Sequence, residues 1–166
     1  MSNKSLLSVG VGLTMLVSVS AALAKPNQAF LTDAIQGNLA EISMGQLAQK
    51  NGGSDGVRSF GQMLVQDHSA ANEKANALAQ AQGVAPPIAP KPEAKTDFDR
   101  MSNLNGDAFD KEFAKHLVAD HKKDIAEFEK EAKDGKDAQV KAWATATLPT
   151  LKHHLEMIQG IQAKMK

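Results

Sequence analysis

Hydrophobic residues recur at helical spacing in four long segments of this chain, and no segment sustains the period-two alternation of a half-buried strand. The first segment runs from Asn27 to Lys50, with Phe30, Leu31, Ala34, Ile35, Ile42 and Gly45 on one side. Asn51-Gly52-Gly53 stops it. The second begins after Ser54 or Asp55, either of which can cap the free amides, and carries Val57, Phe60, Leu64, Ala71, Ala75 and Leu78 as far as Gly83. The third runs from Gly106-Asp107 to Asp134-Gly135 with Phe109, Phe113, Leu117, Ile125 and Phe128 inward. The fourth starts near Asp137, reaches almost to Lys166, and carries Val140, Trp143, Leu148, Leu151, Leu155, Ile158 and Ile161. Pro149 lies inside it and cannot donate to the Thr145 carbonyl, which predicts a kink just before His154.

The connections set the topology. Only a few residues separate the first pair of helices and the second pair, so each pair forms an antiparallel hairpin. Between the pairs lies a connection from Gly83 to Asn105. It holds Pro86, Pro87, Pro90 and Pro92, which predict extended, polyproline-like chain, followed by a short helical stretch from Glu93 to about Leu104. A helix of ~25 residues is ~38 Å long, and extended chain at ~3.1 Å per residue can run that whole distance. The pattern predicts an all-α, ferritin-like four-helix bundle: two hairpins joined by a long crossover, with the second and third long helices parallel. An up-down-up-down bundle stays open, since a long linker does not forbid it.

The two middle helices also echo one another. Phe60-x3-Leu64-Val65-x-Asp67-His68 recurs without gaps as Phe113-x3-Leu117-Val118-x-Asp120-His121. At ~100° per residue, His68 and His121 fall about 80° from their phenylalanines, and Glu41 and His154 about 20° from Phe30 and Trp143. All four lie on inward faces, and their heights agree within two helical turns. The sequence therefore predicts three imidazoles and one carboxylate in one layer of the core.

That layer has two readings. As a metal site, Glu41, His68, His121 and His154 suit zinc, iron, manganese or copper, with Asp67, Asp120 or Asp124 orienting the rings from behind. As a structural network, each histidine hydrogen-bonds to a carboxylate on a neighbouring helix, the usual condition for burying such groups. The Glu-x-x-His pair of di-iron carboxylate bundles is missing, because Val65, Phe113, Val118, Thr150 and Leu151 stand three residues before the histidines. A ferroxidase centre is not expected. His116 and His153 fall towards the edge or the solvent, and no nucleophile elbow, phosphate-binding glycine loop or His-Glu-x-x-His is present.

The N-terminus adds a compartment. Lys4, the apolar run Leu6–Ala22 and the Ala22-Leu23-Ala24 ending predict a secretory signal peptide over residues 1–24. The alternative is a transmembrane anchor, which the small-residue ending and the lack of a basic flank disfavour. Removing 24 of the 166 residues leaves 142, enough for one domain over 25–166 with a real core. The removed segment holds one lysine and no acid, so the remainder has 18 basic and 19 acidic side chains. Such balance argues against nucleic acid and against a basic membrane-surface helix. No stable membrane insertion is expected after cleavage. With no cysteine, the chain uses neither disulfides nor thiol chemistry. With one tryptophan and no tyrosine, a lectin-like cleft is not expected.

Phe60 to His68, Asn105-Gly106-Asp107-Ala108-Phe109-Asp110 with Asp120-His121, and Leu148-Pro149-x-Leu151-x2-His154 together resemble the DUF4142 family over about Ala29 to Ile161. The resemblance implies an exported bacterial helical bundle, placed among ferritin-like folds, in the periplasm or secreted. It brings no established reaction or cofactor. Two functions then compete. One is a non-catalytic envelope module acting through its surface on an envelope protein or small ligand, in stress tolerance for example. The other is a metal-binding or metal-dependent redox protein that uses the His/Glu layer. The missing catalytic motif puts the first ahead and the reading as an enzyme behind it.

Overall fold

The computed structural model describes residues 26–165, and the expected signal peptide lies outside them. Among the described residues the fold is all-α, with five helices and no strand. They are α1 (Pro26–Asn51), α2 (Asp55–Ala81), α3 (Pro92–Ser102), α4 (Gly106–Asp134) and α5 (Ala138–Gln162). None of them is long and apolar enough to cross a membrane.

Local chemistry sets the helix ends. The Ser54 hydroxyl accepts from the Val57 N–H at 3.3 Å and starts α2. At its far end Gly83 adopts φ +70°, Val84 N–H donates to Ala79 and Gly83 N–H to Gln80. That pairing of the last carbonyls needs a left-handed residue, which glycine supplies without strain. Asp137 caps α5 by accepting from Gln139 and Val140, both at 3.0 Å. The helix continues through Pro149 and ends at Gln162, short of the expected Lys166. In the crossover, residues 82–91 and 103–105 are irregular. Pro92 takes the first position of α3, where a missing N–H costs nothing.

Helix α1 packs on α2 and α4, and α5 packs on α4 and α2. The loop before α2 and the start of α4 touch backbone to backbone, with Gly52 paired to Gly106. The buried Asp110 carboxylate accepts from Gly53 N–H and Ser54 N–H, both at 2.8 Å. Asn51 donates its amide to the carbonyls of Ser102 and Leu104, at 3.3 and 2.8 Å. These bonds put the N-termini of α2 and α4 at the same end, so the two helices run the same way and the crossover spans the length between them. A Lys91–Asp33 pair at 2.7 Å ties that crossover to α1.

The core falls into two apolar clusters. The one near the Gly52–Gly106 contact includes Met44, Leu47, Val57, Phe60, Leu64, Met101, Phe109, Phe113, Leu117 and Ile158. The other includes Leu31, Ile35, Ala75, Ala79, Phe128, Val140, Trp143 and Leu151. Fully burying each large apolar side chain contributes ~1.5–3 kcal/mol. On every long helix a polar residue sits between the two: Glu41 between Ile35 and Met44, His68 between Leu64 and Ala75, His121 between Leu117 and Phe128, His154 between Leu151 and Ile158.

Two glycines bring α1 and α2 close. A Cβ on Gly61 would lie 2.6 Å from the Gly45 carbonyl and 2.7 Å from the Ala48 Cβ. Alanine gains ~1 kcal/mol of helix propensity over glycine, but overpacking costs ~1–3 kcal/mol. Gly61→Ala is expected to lower stability in urea melts. Gly160→Ala, where nothing lies within 4 Å of the new Cβ, is expected to leave it unchanged or raise it. Equal stability of the two variants would contradict this packing.

Candidate metal centre

Residues Glu41, His68, His121 and His154 come together in the layer between the two clusters, all of them buried. The ring centroids of the three histidines lie 5.4–5.9 Å apart. Phe60 closes the layer from one side, with its ring 6.5 Å from His121 and 6.0 Å from His154.

Each ring is held from behind. His154 Nε2 faces the Asp67 carboxylate at 2.9 Å. His121 Nδ1 faces the Leu117 carbonyl at 3.1 Å and Glu41 Oε1 at 3.4 Å. His68 Nδ1 faces Asn38 Oδ1 at 2.9 Å. A carbonyl or carboxylate oxygen only accepts, so the nitrogen facing it carries the hydrogen. In neutral rings the opposite nitrogens then carry lone pairs, and for His121 and His154 those are the nitrogens that meet. His121 Nε2 and His154 Nδ1 are 3.3 Å apart, and His68 Nε2 has no partner at all. One ring nitrogen from each histidine lies within 4.8 Å of the other two.

Electrostatics keep these rings neutral. Burial is the largest effect on His121, with the neighbouring His154 adding to it, and together they push its pKa down to about 4. His68 is pushed well below the ordinary histidine value by burial and by the other two rings. In His154 burial also lowers the pKa, and the bond to Asp67 offsets part of the effect. Neutral imidazole is the form that binds metal.

The carboxylates divide. Asp67 stands behind His154. Asp120 and Asp124 hydrogen-bond to none of the rings; with Glu41 they form a separate group whose oxygens lie within 4.8 Å of one another. Glu41 thus belongs to the acidic group and reaches the histidines only through the back of His121. Burial, then Asp120 and Asp124, raise the Glu41 pKa well above its usual value. Burial, then Asp120 and Glu127, push Asp124 up to about 7. Of the remaining histidines, His153 is exposed and His116 half-buried at the edge of the acidic group. Asn38 escaped the sequence reading, since an asparagine within a helix reads as surface.

The family model described as a domain of unknown function, DUF4142, matches residues 14–161. The chain belongs to this family. Comparison with curated proteins finds no significant match. This DUF4142 protein shares its fold with two DUF305 proteins of known structure. A DUF305 fragment from Deinococcus radiodurans superposes with a TM-score of 0.73 at 14% identity, over 85% of this chain and 98% of the other. A DUF305 protein from Streptomyces coelicolor, described as a candidate secreted protein, gives 0.71 at 10% identity, over 84% and 93%. The conserved hypothetical protein rv2844 from Mycobacterium tuberculosis gives 0.66 at 15% identity, over 84% and 92%.

The shifted groups act on stability in opposite senses. The unfolded chain protonates His121 near pH 6.5 and the folded chain only near 4, so this contribution is lost as pH falls through that window. Folded Asp124 holds its proton up to about pH 7 while the unfolded chain releases it near 3.8, so stability is lost as pH rises between them. Asp124→Asn removes the second effect and also relieves Glu41, whose pKa Asp124 raises, which acts in the same direction. In chelator, its stability relative to wild type is expected to increase from about pH 4 to about pH 7, as read by urea melts at several pH values. A difference independent of pH would contradict this assignment.

Proposed function

We propose that this DUF4142 protein is an exported ferritin-like bundle of one domain, residues 25–166 after loss of residues 1–24, that binds one transition-metal ion through His68, His121 and His154. The observation that carries this reading is the convergence of three buried histidines, each offering one ring nitrogen within 4.8 Å of the others and each with a ring nitrogen facing an oxygen acceptor. Lone pairs 3.3 Å apart in a dry core repel one another unless something positive lies between them. A proton is disfavoured by the lowered pKa values. A water donating to both nitrogens or a metal ion can fill that role, and three imidazole nitrogens on one point favour the metal. At ~2.0–2.1 Å from each nitrogen, a tetrahedral ion spaces its ligands ~3.3–3.4 Å apart, close to the His121–His154 separation. The other two separations are within 4.8 Å.

Imidazole ligands suit zinc, copper, iron or nickel. The Asp67–His154 bond resembles the carboxylate–histidine pairs that orient metal-bound rings. A cavity of about 30 Å³ bordered by Asn38, Asp67, His68 and His154 gives room for one water or ion beside the rings. Export is supported by the signal-peptide pattern, and the Streptomyces neighbour described as secreted agrees with it. From sequence a non-catalytic surface module ranked ahead; the converging nitrogens reverse that order. Binding, storage or delivery of the ion accounts for the site without a catalytic group.

Elemental analysis of protein purified from metal-replete cells is expected to find about one zinc, copper or iron per chain. Added ion at 100 times Kd is expected to stabilise wild type by ~2.7 kcal/mol. His154→Ala should lose that gain, and Asp67→Asn should weaken affinity ~10–100-fold. If wild type binds no ion and His68→Ala costs the same ~1–3 kcal/mol with or without metal, the histidines are a structural network and this reading fails.

A further inference from the structure

The acidic group on the other side of His121 remains unexplained by a three-histidine site. Asp120 and Asp124 are one helical turn apart on α4 and share a face. Glu41 meets them from α1, and the oxygens of all three lie within 4.8 Å of one another. If all three carried a charge, carboxylates this close in a partly buried place would repel strongly. Among the described residues, neither aspartate makes a hydrogen bond or an ion pair. The nearby lysines pair elsewhere, Lys91 with Asp33 at 2.7 Å and Lys123 with Glu127 at 3.9 Å.

Glu41 supplies the independent sign of a ligand. Its side chain is 0% exposed, and neither carboxylate oxygen receives a hydrogen bond. The nearest N–H, on His121, is bonded to the Leu117 carbonyl instead. A buried carboxylate with two unmet acceptors is costly. This one borders a cavity of about 430 Å³ between α1, α3 and α4, which Asp120 and Asp124 also line. The chain therefore presents three oxygen ligands from two rigid helices, with space for water to complete a coordination shell.

We propose that Glu41, Asp120 and Asp124 form a second cation site, for a hard divalent ion such as manganese or calcium, separate from the three-histidine cluster. Carboxylate and water oxygens select hard cations, whereas the imidazoles select softer transition metals. The echo of α2 in α4 accounts for the difference. Asp67 on α2 faces His154 on α5, while Asp120 on α4 faces Glu41 on α1. One side of His121 is thus nitrogen-rich and the other is all oxygen. This second site does not require the histidine cluster to be loaded.

The test is titration of manganese(II) into the purified protein after chelation, following the free ion by electron paramagnetic resonance. Wild type is expected to bind one manganese per chain, and to keep it when one equivalent of zinc is present. His154→Ala is expected to keep it too. Asp120→Asn/Asp124→Asn is expected to weaken it at least about tenfold while leaving zinc binding intact. Both aspartates are half-buried and unbonded, so the amides should leave the helical circular dichroism unchanged. Asp124→Asn alone gives the same reading if the double variant fails to fold. Absence of bound manganese in wild type at millimolar free ion would overturn the proposal. So would binding that persists in the aspartate variant, or binding that His154→Ala removes. Loss of zinc alone leaves the acidic site standing and counts against the histidine reading only.

Discussion

Three imidazoles crowded into one buried layer, each with a ring nitrogen held against an oxygen acceptor, are the constraint on which this molecule turns. Each ring could relieve the contact by turning its N–H inward, but then an oxygen acceptor behind it would be left unmet. The Leu117 carbonyl, the Asp67 carboxylate and the Asn38 amide hold the hydrogens outward. The arrangement is thus over-determined from behind and unsatisfied at the centre, the reverse of an ordinary buried polar network. Apolar clusters above and below supply the stability that lets such a layer persist.

The scaffold holds the layer through its ends. Asp110 and Asn51 fasten the first turn to the start of α4, and Asn27 and Gln28 reach Gln82 at the far end of the same hairpin. Between those ends the close approach at Gly45 and Gly61 sets the spacing of α1 and α2. That spacing decides whether Asn38 on one helix can reach His68 on the other. The hairpin is rigid where the site needs a ring held within hydrogen-bonding distance.

How much of this was legible beforehand depended on the type of residue. Aromatic anchors made the inward faces of α2, α4 and α5 plain, because Phe60, Phe113 and Trp143 admit little ambiguity. α1 was harder. It packs against α2, α3 and α4, so its buried face is wide and includes Met44, Leu47 and Ala48, while Ile42 is only half-buried. Rotation at ~100° per residue placed Glu41 and the histidines at one height on inward faces. It carried no information on where a side chain's terminal atoms go, and so could not divide Glu41 from the rings or assign Asp120 and Asp124 to its side. Asp110 and Asn51 work at a loop junction, where helical periodicity has nothing to say.

The echo between α2 and α4 has a consequence for how chemistry could be varied on this framework. The repeated segment delivers a histidine and an aspartate to matching places in each half, and the distinction between the halves rests on what the outer helices present: His154 on α5, Glu41 on α1. Replacing either outer residue would change which polar groups meet in the layer and leave the phenylalanine, leucine and valine of the repeat untouched. The packing of the repeat and the chemistry of the layer are thus set by different residues.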